Sequence, residues 1–229
     1  CNGKGSARLP RIALRSMIWL CFRPDQAVDM HNDIARWKDH LPFERLQKMH
    51  SYRMLSDQWL CAAAYRLLQH GLSSEYGIAE NGIQVNLAPS GKPFLKDIPN
   101  IYFNISHCDM GAVCALSNRE IGVDIESFLQ PKPQAMKHVM NDNEYDSIIS
   151  SQCSAKAFTR FWTLKESWLK ATGFGLVYGP RQVPINLIPA HPCISQDGFI
   201  AKVVWENEKG CIAQCCKDEN LLPVIACTM

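Results

Sequence analysis

The sequence predicts an α+β fold made of two similar lobes. The prediction rests on short alternating segments typical of strands, longer periodic segments typical of helices, and the order in which they occur. Each half of the chain reads as a strand, then a helix, then further strands. We therefore divide the chain into lobes at residues 1–118 and 119–229, with the active site in the cleft between them.

In the first lobe, residues 12–22 are predicted to form a strand. Residues 43–68 carry a helical pattern that stops near Gly71. Residues 101–105 and 112–116 are short apolar runs with short connections, which predicts two further strands.

In the second lobe, residues 121–125 are predicted to form the opening strand. An Asn/Asp-rich start predicts a capped short helix over 141–149. A longer helix is predicted over 155–172, with Gly173 ending it. The remaining predicted strands cover residues 199–206, 210–216 and 223–228.

The composition excludes several classes of protein. Hydrophobic residues make up 47% and charged residues 20% of the 229 residues, which is ordinary for a soluble globular protein. The net charge of +2 is too small to indicate nucleic-acid or membrane binding. The eleven cysteines are scattered and odd in number, so we expect reduced thiols, no disulfide framework and a cytoplasmic location.

The segment from Ile121 to Glu126 alternates apolar and polar residues, as a strand with two different faces does. Asp124 and Glu126 therefore share a face with Gly122, which leaves room for another group to approach. Two neighbouring carboxylates need a cation or protons to offset their repulsion. Glu166, on a predicted helix, can supply a third oxygen ligand, and such a set is typical of Mg²⁺ held near phosphates. The alternative is a solvated face of an edge strand.

Two lysines stand out on the helix predicted over residues 155–172. Lys165 falls in the middle of an apolar stripe, so its ammonium must reach solvent or meet an anion. Lys170 lies four residues after Glu166, along one edge of the stripe. That spacing also fits an ordinary surface ion pair, worth about a few tenths of a kcal/mol.

Polar residues of the first lobe are candidates for phosphate binding. Ser106 and His107 end a predicted strand, where a hydroxyl, an imidazole and free N–H groups suit an anion; the alternative is a turn that they cap. Lys92 lies in a loop, and Arg45 and Lys48 lie three residues apart on one face of a predicted helix. All three positions also fit an ordinary solvated surface. One assignment accounts for every candidate, namely a Mg²⁺ site beside cations that bind a multiply phosphorylated ligand.

Four motifs that contain these residues occur in order between residues 42 and 176. They are Gly-Lys-Pro at 91–93, Phe-Asn-Ile-Ser-His at 103–107, Gly-Val-Asp-Ile-Glu at 122–126 and Trp-Thr-Leu-Lys-Glu at 162–166, the last continued by Lys-Ala at 170–171. The first alone means little, but the last two at this distance are highly specific. In this combination the chain resembles the 4′-phosphopantetheinyl transferases of the Sfp type. The resemblance implies a pseudo-twofold α+β fold that binds coenzyme A between its lobes.

The resemblance also implies roles for single residues. Asp124, Glu126 and Glu166 match the carboxylates that bind Mg²⁺, for which Mn²⁺ is a possible substitute. Ser106 and His107 match residues that contact the 3′-phosphate of coenzyme A.

Further roles concern the remaining phosphates and the proton. Glu144 matches a glutamate proposed as base, and Lys170 matches the lysine at the pyrophosphate. The basic residues assigned to coenzyme A are Arg45, Lys48, Lys92 and Lys165.

The chain departs from the family pattern at three positions. Arg45 stands where some members have lysine, and the two cations differ in geometry. Leu60 and Cys61 stand where other members can carry Arg and a hydroxyl residue, so the contacts on the adenine side differ. After about residue 185 no motif of the family matches.

The implied reaction moves 4′-phosphopantetheine from coenzyme A to a serine of an apo acyl or peptidyl carrier protein. Adenosine 3′,5′-bisphosphate leaves, and the resemblance implies a monomer. Three other functions fit parts of the sequence: a coenzyme A sensor, a Mg²⁺-dependent pyrophosphate hydrolase, and a structural subunit whose carboxylates form ion pairs. Glu144 and Lys170 argue against the sensor, because binding alone requires neither a base nor a leaving-group lysine.

Overall fold

The computed structural model describes residues 16–80, 83–187, 192–217 and 222–229. Within these ranges, α-helices cover α1 Ala27–Trp37, α2 Phe43–Ser51, α3 Leu55–Tyr76, α4 Pro133–Val139, α5 Asp142–Ile149 and α6 Ser154–Thr172. The strands are β1 Met17–Phe22, β2 Val85–Leu87, β3 Pro93–Leu95, β4 Tyr102–Cys108, β5 Gly111–Ser117, β6 Ile121–Ser127, β7 Cys193–Gln196, β8 Phe199–Glu206, β9 Gly210–Cys216 and β10 Val224–Ala226. The predicted α+β class is confirmed.

Two four-stranded sheets form the frame of the molecule. The first has the strand order β10-β1-β5-β4, and the second has the order β6-β9-β8-β7. The pairs within the second sheet are antiparallel, whereas β10 joins β1 in parallel. Since β10 is the last strand of the chain, the predicted second lobe at 119–229 contributes one strand to the sheet of the first.

The two sheets share an apolar core, because each strand alternates its side chains between two faces. Ile18 of β1 and Val113 of β5 pack with Ile121, Val123 and Ile125 of β6 in this shared core. The opposite face of the first sheet packs on α3, and the opposite face of the second packs on α6. The polar face of β6 is therefore turned towards α6. The pseudo-twofold relation of the lobes remains a prediction.

The prediction of one helix over residues 43–68 is wrong. Tyr52 and Met54 have extended backbone, which divides the segment into α2 and α3, and the side chain of Gln58 donates a hydrogen bond to the Tyr52 carbonyl at the break. The second helix continues through Gly71 and ends at Gly77, which has the left-handed conformation. No Gly or Pro marks the break, so the residue types gave no signal for it.

The predicted boundaries of other elements agree more closely with the structure. The strands near 101–127, the helix capped by Asn141 and the helix ended by Gly173 are confirmed. The first strand begins at Met17, and the predicted residues 12–15 lie outside the described ranges. Helices α1 and α4 and strands β2, β3 and β7 were not predicted. Among the described residues, no helix combines the length and apolar character needed to cross a membrane.

Gly122 allows α6 to approach β6 closely. A methyl group at this position would overlap the carbonyl oxygen of Ser167 and lie 2.5 Å from the backbone nitrogen of Ala171. The group for which the glycine leaves room is therefore the backbone of α6. This approach brings the carboxylates of β6 against the side chains of the helix.

Replacing Gly122 by alanine is expected to lower the free energy of unfolding by about 1–3 kcal/mol, because backbone atoms must move to admit the methyl group. Chemical denaturation measures the change. Ser127→Ala, at the partly buried end of the same strand, is the control; it loses only a weak hydrogen bond with the Cys108 thiol and should change stability by less than about 1 kcal/mol. Equal stability of Gly122→Ala and the control would contradict this description of the contact.

Candidate functional site

Asp124 lies at the centre of a hydrogen-bonded group that connects three elements. Its side chain is almost fully buried, and its Oδ1 accepts hydrogen bonds from the Ser106 hydroxyl at 2.8 Å and from Lys170 Nζ at 2.6 Å. Lys170 also donates to Ser106 Oγ at 2.9 Å. These contacts join β4, β6 and α6. The Lys170 ammonium pairs with Asp124, whereas the sequence offered Glu166 as an ordinary i,i+4 partner.

Glu126 and Glu166 lie near Asp124 and experience its charge. Burial and, to a smaller extent, the negative charge of Asp124 raise the pKa of Glu126 to about 7. The Trp162 indole donates a hydrogen bond to Glu126 Oε1 at 3.3 Å, which opposes this shift. The pKa of Glu166 is also raised, mainly by burial. The three carboxylates therefore share one electrostatic environment with Lys170 as a nearby cation.

The chemistry of these carboxylates fits a hard divalent cation. Asp124 Oδ2 and Glu166 Oε1 are buried and have no hydrogen-bond partner among the residues that the structure describes. Buried charged oxygens are costly unless they are paired, and carboxylate oxygens are the ligands that Mg²⁺ prefers. The side chains do not form a finished metal site as they stand, since no group of three or more acidic, histidine or cysteine residues in the described ranges is arranged to hold a metal ion. The metal assignment is thus supported by donor type and grouping alone.

Ser106 and His107 lie in β4 beside this group. Ser106 is buried and bonded to Asp124 and Lys170. His107 is exposed, although neighbouring groups remove part of its water. This partial desolvation, followed by the positive charges of Lys170, Lys48 and Arg45, lowers the pKa of His107. Arg45 and Lys48 of α2 therefore lie close enough to His107 for their charges to act on it.

The two cations of α2 differ in their surroundings. The Arg45 guanidinium lies 4.9 Å from the centroid of the Tyr65 ring, and its Nη1 donates to Cys61 Sγ at 3.8 Å. Lys48 is exposed. Arg45 is therefore held by side chains of α3, whereas Lys48 extends into solvent.

Lys92 lies at the C-terminal end of α6, the same end as Lys170, where its Nζ donates a hydrogen bond to the Ala171 carbonyl at 2.6 Å. Burial lowers the pKa of Lys92. The residue also lines a cleft of about 290 Å³ together with Asn104, Glu166 and Lys170. Lys92 thus lines the cleft, and its ammonium is already hydrogen-bonded to the end of α6.

Lys165 does not reach the cleft. Its side chain is fully buried, and Nζ donates to Glu144 Oε2 at 2.6 Å and to the carbonyls of Val139 and Pro180 at 3.1 and 2.9 Å. The lysine in the apolar stripe therefore meets an anion inside the protein. The prediction that Lys165 contacts coenzyme A is contradicted by this position.

Glu144 is equally buried, and both of its oxygens are in use. Oε2 accepts from Lys165 and from the backbone N–H of Asn141, while Oε1 accepts from the N–H of Ile185. The bond to Asn141 is half of a capping box that begins α5. This position differs from that of the predicted base, because a base needs access to the proton that it removes. The glutamate holds α5 and α6 together in the structure.

Two residues of the site were not singled out from the sequence. Asn104 is buried, and its Oδ1 accepts a hydrogen bond from the Val123 N–H at 2.9 Å, which ties β4 to the carboxylate strand. Tyr65 supports Arg45. Asn104 lies inside a recognised motif and offered a signal, whereas Tyr65 lies in an apolar helical pattern and offered none.

The family model and three known proteins to which this chain is similar all carry the same description. Residues 120–220 match the model of the 4′-phosphopantetheinyl transferase superfamily. The chain is 24% identical over 197 residues to 4′-phosphopantetheinyl transferase psf-1 of Bacillus pumilus, with 85% of this chain and 82% of that protein covered. The resemblance predicted from the motifs is therefore confirmed.

Two further relatives match over shorter segments. The chain is 29% identical to 4′-phosphopantetheinyl transferase Sfp of Bacillus subtilis (strain 168), with 56% of this chain and 62% of Sfp covered. It is 31% identical to 4′-phosphopantetheinyl transferase gsp of Aneurinibacillus migulanus, with 62% and 58% covered. The chain thus spans less than two thirds of these two relatives. All three relatives are named as 4′-phosphopantetheinyl transferases.

Proposed function

Since the resemblance to Sfp-type 4′-phosphopantetheinyl transferases is confirmed, we propose that the protein transfers 4′-phosphopantetheine from coenzyme A to a serine of an apo acyl or peptidyl carrier protein. Adenosine 3′,5′-bisphosphate is the second product. The observation that carries the proposal is the contact of Asp124 with Lys170 and Ser106, beside a cleft that Glu166 and Lys170 line. Glu126 experiences the charge of Asp124, and His107 experiences the charges of Arg45 and Lys48. Such an arrangement suits a ligand with several phosphates and a divalent cation.

Asp124, Glu126 and Glu166 are the proposed ligands of Mg²⁺ or Mn²⁺. The unpartnered Asp124 Oδ2 and Glu166 Oε1 support the proposal, because Asp124 uses only its other oxygen for Lys170 and Ser106. When bound, the metal would neutralise negative charge on the pyrophosphate of coenzyme A.

The cations of the site are proposed to bind and orient the phosphates. His107, with Ser106 beside it, is assigned to the 3′-phosphate, and Arg45 and Lys48 approach the same region from α2. Lys170 is the proposed catalytic cation, which neutralises charge on the leaving phosphate. Holding the phosphates in one orientation lowers the entropic part of the barrier.

His107 is expected to take up a proton when coenzyme A binds. Its pKa is lowered in the free protein, so the ring is mostly neutral at pH 7, whereas a bound phosphate favours the charged form. Affinity should therefore rise as the pH falls from about 8 to about 6. Calorimetry without Mg²⁺, in two buffers of different ionisation enthalpy, measures the proton uptake, and His107→Gln should reduce it. An unchanged proton uptake in this variant would contradict the assignment.

The carrier protein is proposed to bind beside α4 and α5. Carrier proteins are generally acidic, and Lys132 and Lys137 supply positive charge near this segment; Lys137 also lies 5.9 Å from the ring centroid of Tyr145. Complementary surface charge acts mainly on the rate of association.

Reversing both charges, with Lys132→Glu and Lys137→Glu, is expected to raise the KM for the carrier by about tenfold and to leave the KM for coenzyme A unchanged. The same reversal at exposed Lys38, at the end of α1, is the matched control. An unchanged carrier KM in the double variant would remove this surface from the proposal.

We further propose a monomer, as the family resemblance implies, and a location in the cytoplasm, as the cysteine pattern of the sequence indicates.

Two other functions keep the same site: a coenzyme A sensor and a hydrolase of the coenzyme A pyrophosphate. Chromatographic measurement of adenosine 3′,5′-bisphosphate separates them. A transferase releases it only with a carrier present, a hydrolase releases it without one, and a sensor releases none.

A further inference from the structure

Arg45 is fixed by two buried side chains that lie one helical turn apart on α3. The Tyr65 ring is 4.9 Å from its guanidinium, within the range of a cation–π contact, and Cys61 Sγ is 3.8 Å from Nη1. Tyr65 is 3% exposed and Cys61 is 2% exposed. Because both supports are part of the core of the first lobe, they cannot follow the arginine into other rotamers.

This support has a direct consequence for anion binding. A long cationic side chain loses rotamer freedom when it binds a phosphate, and a guanidinium that is already oriented loses less. A planar guanidinium can lie on an aromatic ring and still present N–H groups at its edge. Lys48, one turn further along α2, is exposed and carries no such preorganisation.

We propose that Tyr65 is a positioning residue, which together with Cys61 holds Arg45 ready for the 3′-phosphate of coenzyme A and so makes the site select coenzyme A over 3′-dephospho-coenzyme A. The inference rests on the proposed function for the identity of the ligand. It goes beyond that function by naming a residue that acts through Arg45 and by giving it control of one phosphate only.

The alternative is that Tyr65 is a core residue with no influence on selectivity. It also lines a second cavity of about 410 Å³, beside His40 and Glu80, so loss of the ring could disturb this part of the fold. A purely structural role would weaken both ligands to the same extent. The ratio of the two affinities is therefore the informative quantity.

The test is calorimetric titration of the full chain with coenzyme A and with 3′-dephospho-coenzyme A, both with Mg²⁺ and without a carrier. Tyr65→Leu is expected to weaken coenzyme A binding about tenfold and to leave 3′-dephospho-coenzyme A binding within about twofold. Tyr65→Phe, which keeps the ring, should restore the preference. Tyr76→Leu is the matched control, since it removes a buried tyrosine of the same helix about 16 Å away along its axis.

The outcomes separate the two proposals. Equal weakening of both ligands in Tyr65→Leu, or equal affinity of the wild-type protein for both, would overturn the positioning role. If the wild-type protein prefers coenzyme A, Tyr65→Leu loses that preference and no carrier is modified, the positioning role stands and the proposed transferase activity is overturned. A wild-type protein that binds neither ligand would overturn both.

Discussion

Replacing Asp124 by asparagine is expected to lower the transfer rate by on the order of 10²-fold, while the protein remains folded. The change removes the charge that pairs with Lys170 and with the proposed metal, but it keeps the size of the side chain and an oxygen for Ser106. Charge stabilisation of this kind is worth about 3 kcal/mol of barrier, which corresponds to the stated factor. Asp124→Ala should lose at least as much.

The measurement is the rate of carrier modification at saturating coenzyme A, with the melting temperature of each variant recorded in parallel. Asp25→Asn, at an exposed aspartate before α1, serves as the control for loss of one negative charge. Near-wild-type turnover in Asp124→Asn and in Asp124→Ala would remove Asp124 from the site.

Breaking the buried Lys165–Glu144 pair is expected to have the largest effect on stability. Lys165→Met leaves the Glu144 carboxylate without its cation and two backbone carbonyls without their donor. Removing one partner of a buried ion pair costs about 3–5 kcal/mol, because the other charge stays buried and uncompensated. Denaturant unfolding measures this loss.

Arg160→Met is the matched control for this substitution. Arg160 lies on the same helix and pairs with Glu206 at the same distance of 2.6 Å, but both side chains are partly exposed. Its loss should cost clearly less than the loss of Lys165, because Glu206 is partly exposed and can be hydrated when its two hydrogen bonds from Arg160 are removed. Similar losses in the two variants would show that the Lys165–Glu144 pair behaves like a surface pair.

The same pair distinguishes a structural Glu144 from a catalytic one. With both oxygens bonded inside the protein, Glu144→Gln should lower stability and reduce transfer only in proportion to the folded fraction. A loss of 10²-fold or more in the folded variant is the size expected for removal of a base. That result would require the pair to open during the reaction.

Strand β6 and helix α6 could be predicted well because their signals are local. The alternation from Ile121 to Glu126 fixed which carboxylates share a face, and Gly173 marked the helix end. The grouping of Asp124, Glu126 and Glu166 could be inferred once the strand and the helix were expected to pack together. Gly122 indicates a point of close approach, but the sequence alone does not identify the approaching group as the backbone of a helix.

Other features depended on contacts between distant segments. The apolar position of Lys165 showed that it needed a partner, yet only the tertiary structure reveals Glu144 as that partner. The parallel pairing of β10 with β1 joins residues about 200 positions apart, for which no local pattern exists. The support of Arg45 by Tyr65 likewise requires the packing of α2 on α3.

Intact-mass spectrometry of an apo carrier protein, incubated with this protein, coenzyme A and Mg²⁺, tests the central claim most directly. We expect the carrier to gain the mass of one phosphopantetheine group, EDTA to prevent the gain, and a serine-to-alanine change in the carrier to abolish it. No gain with several unrelated acyl and peptidyl carriers, under conditions in which coenzyme A binds, would contradict the transferase.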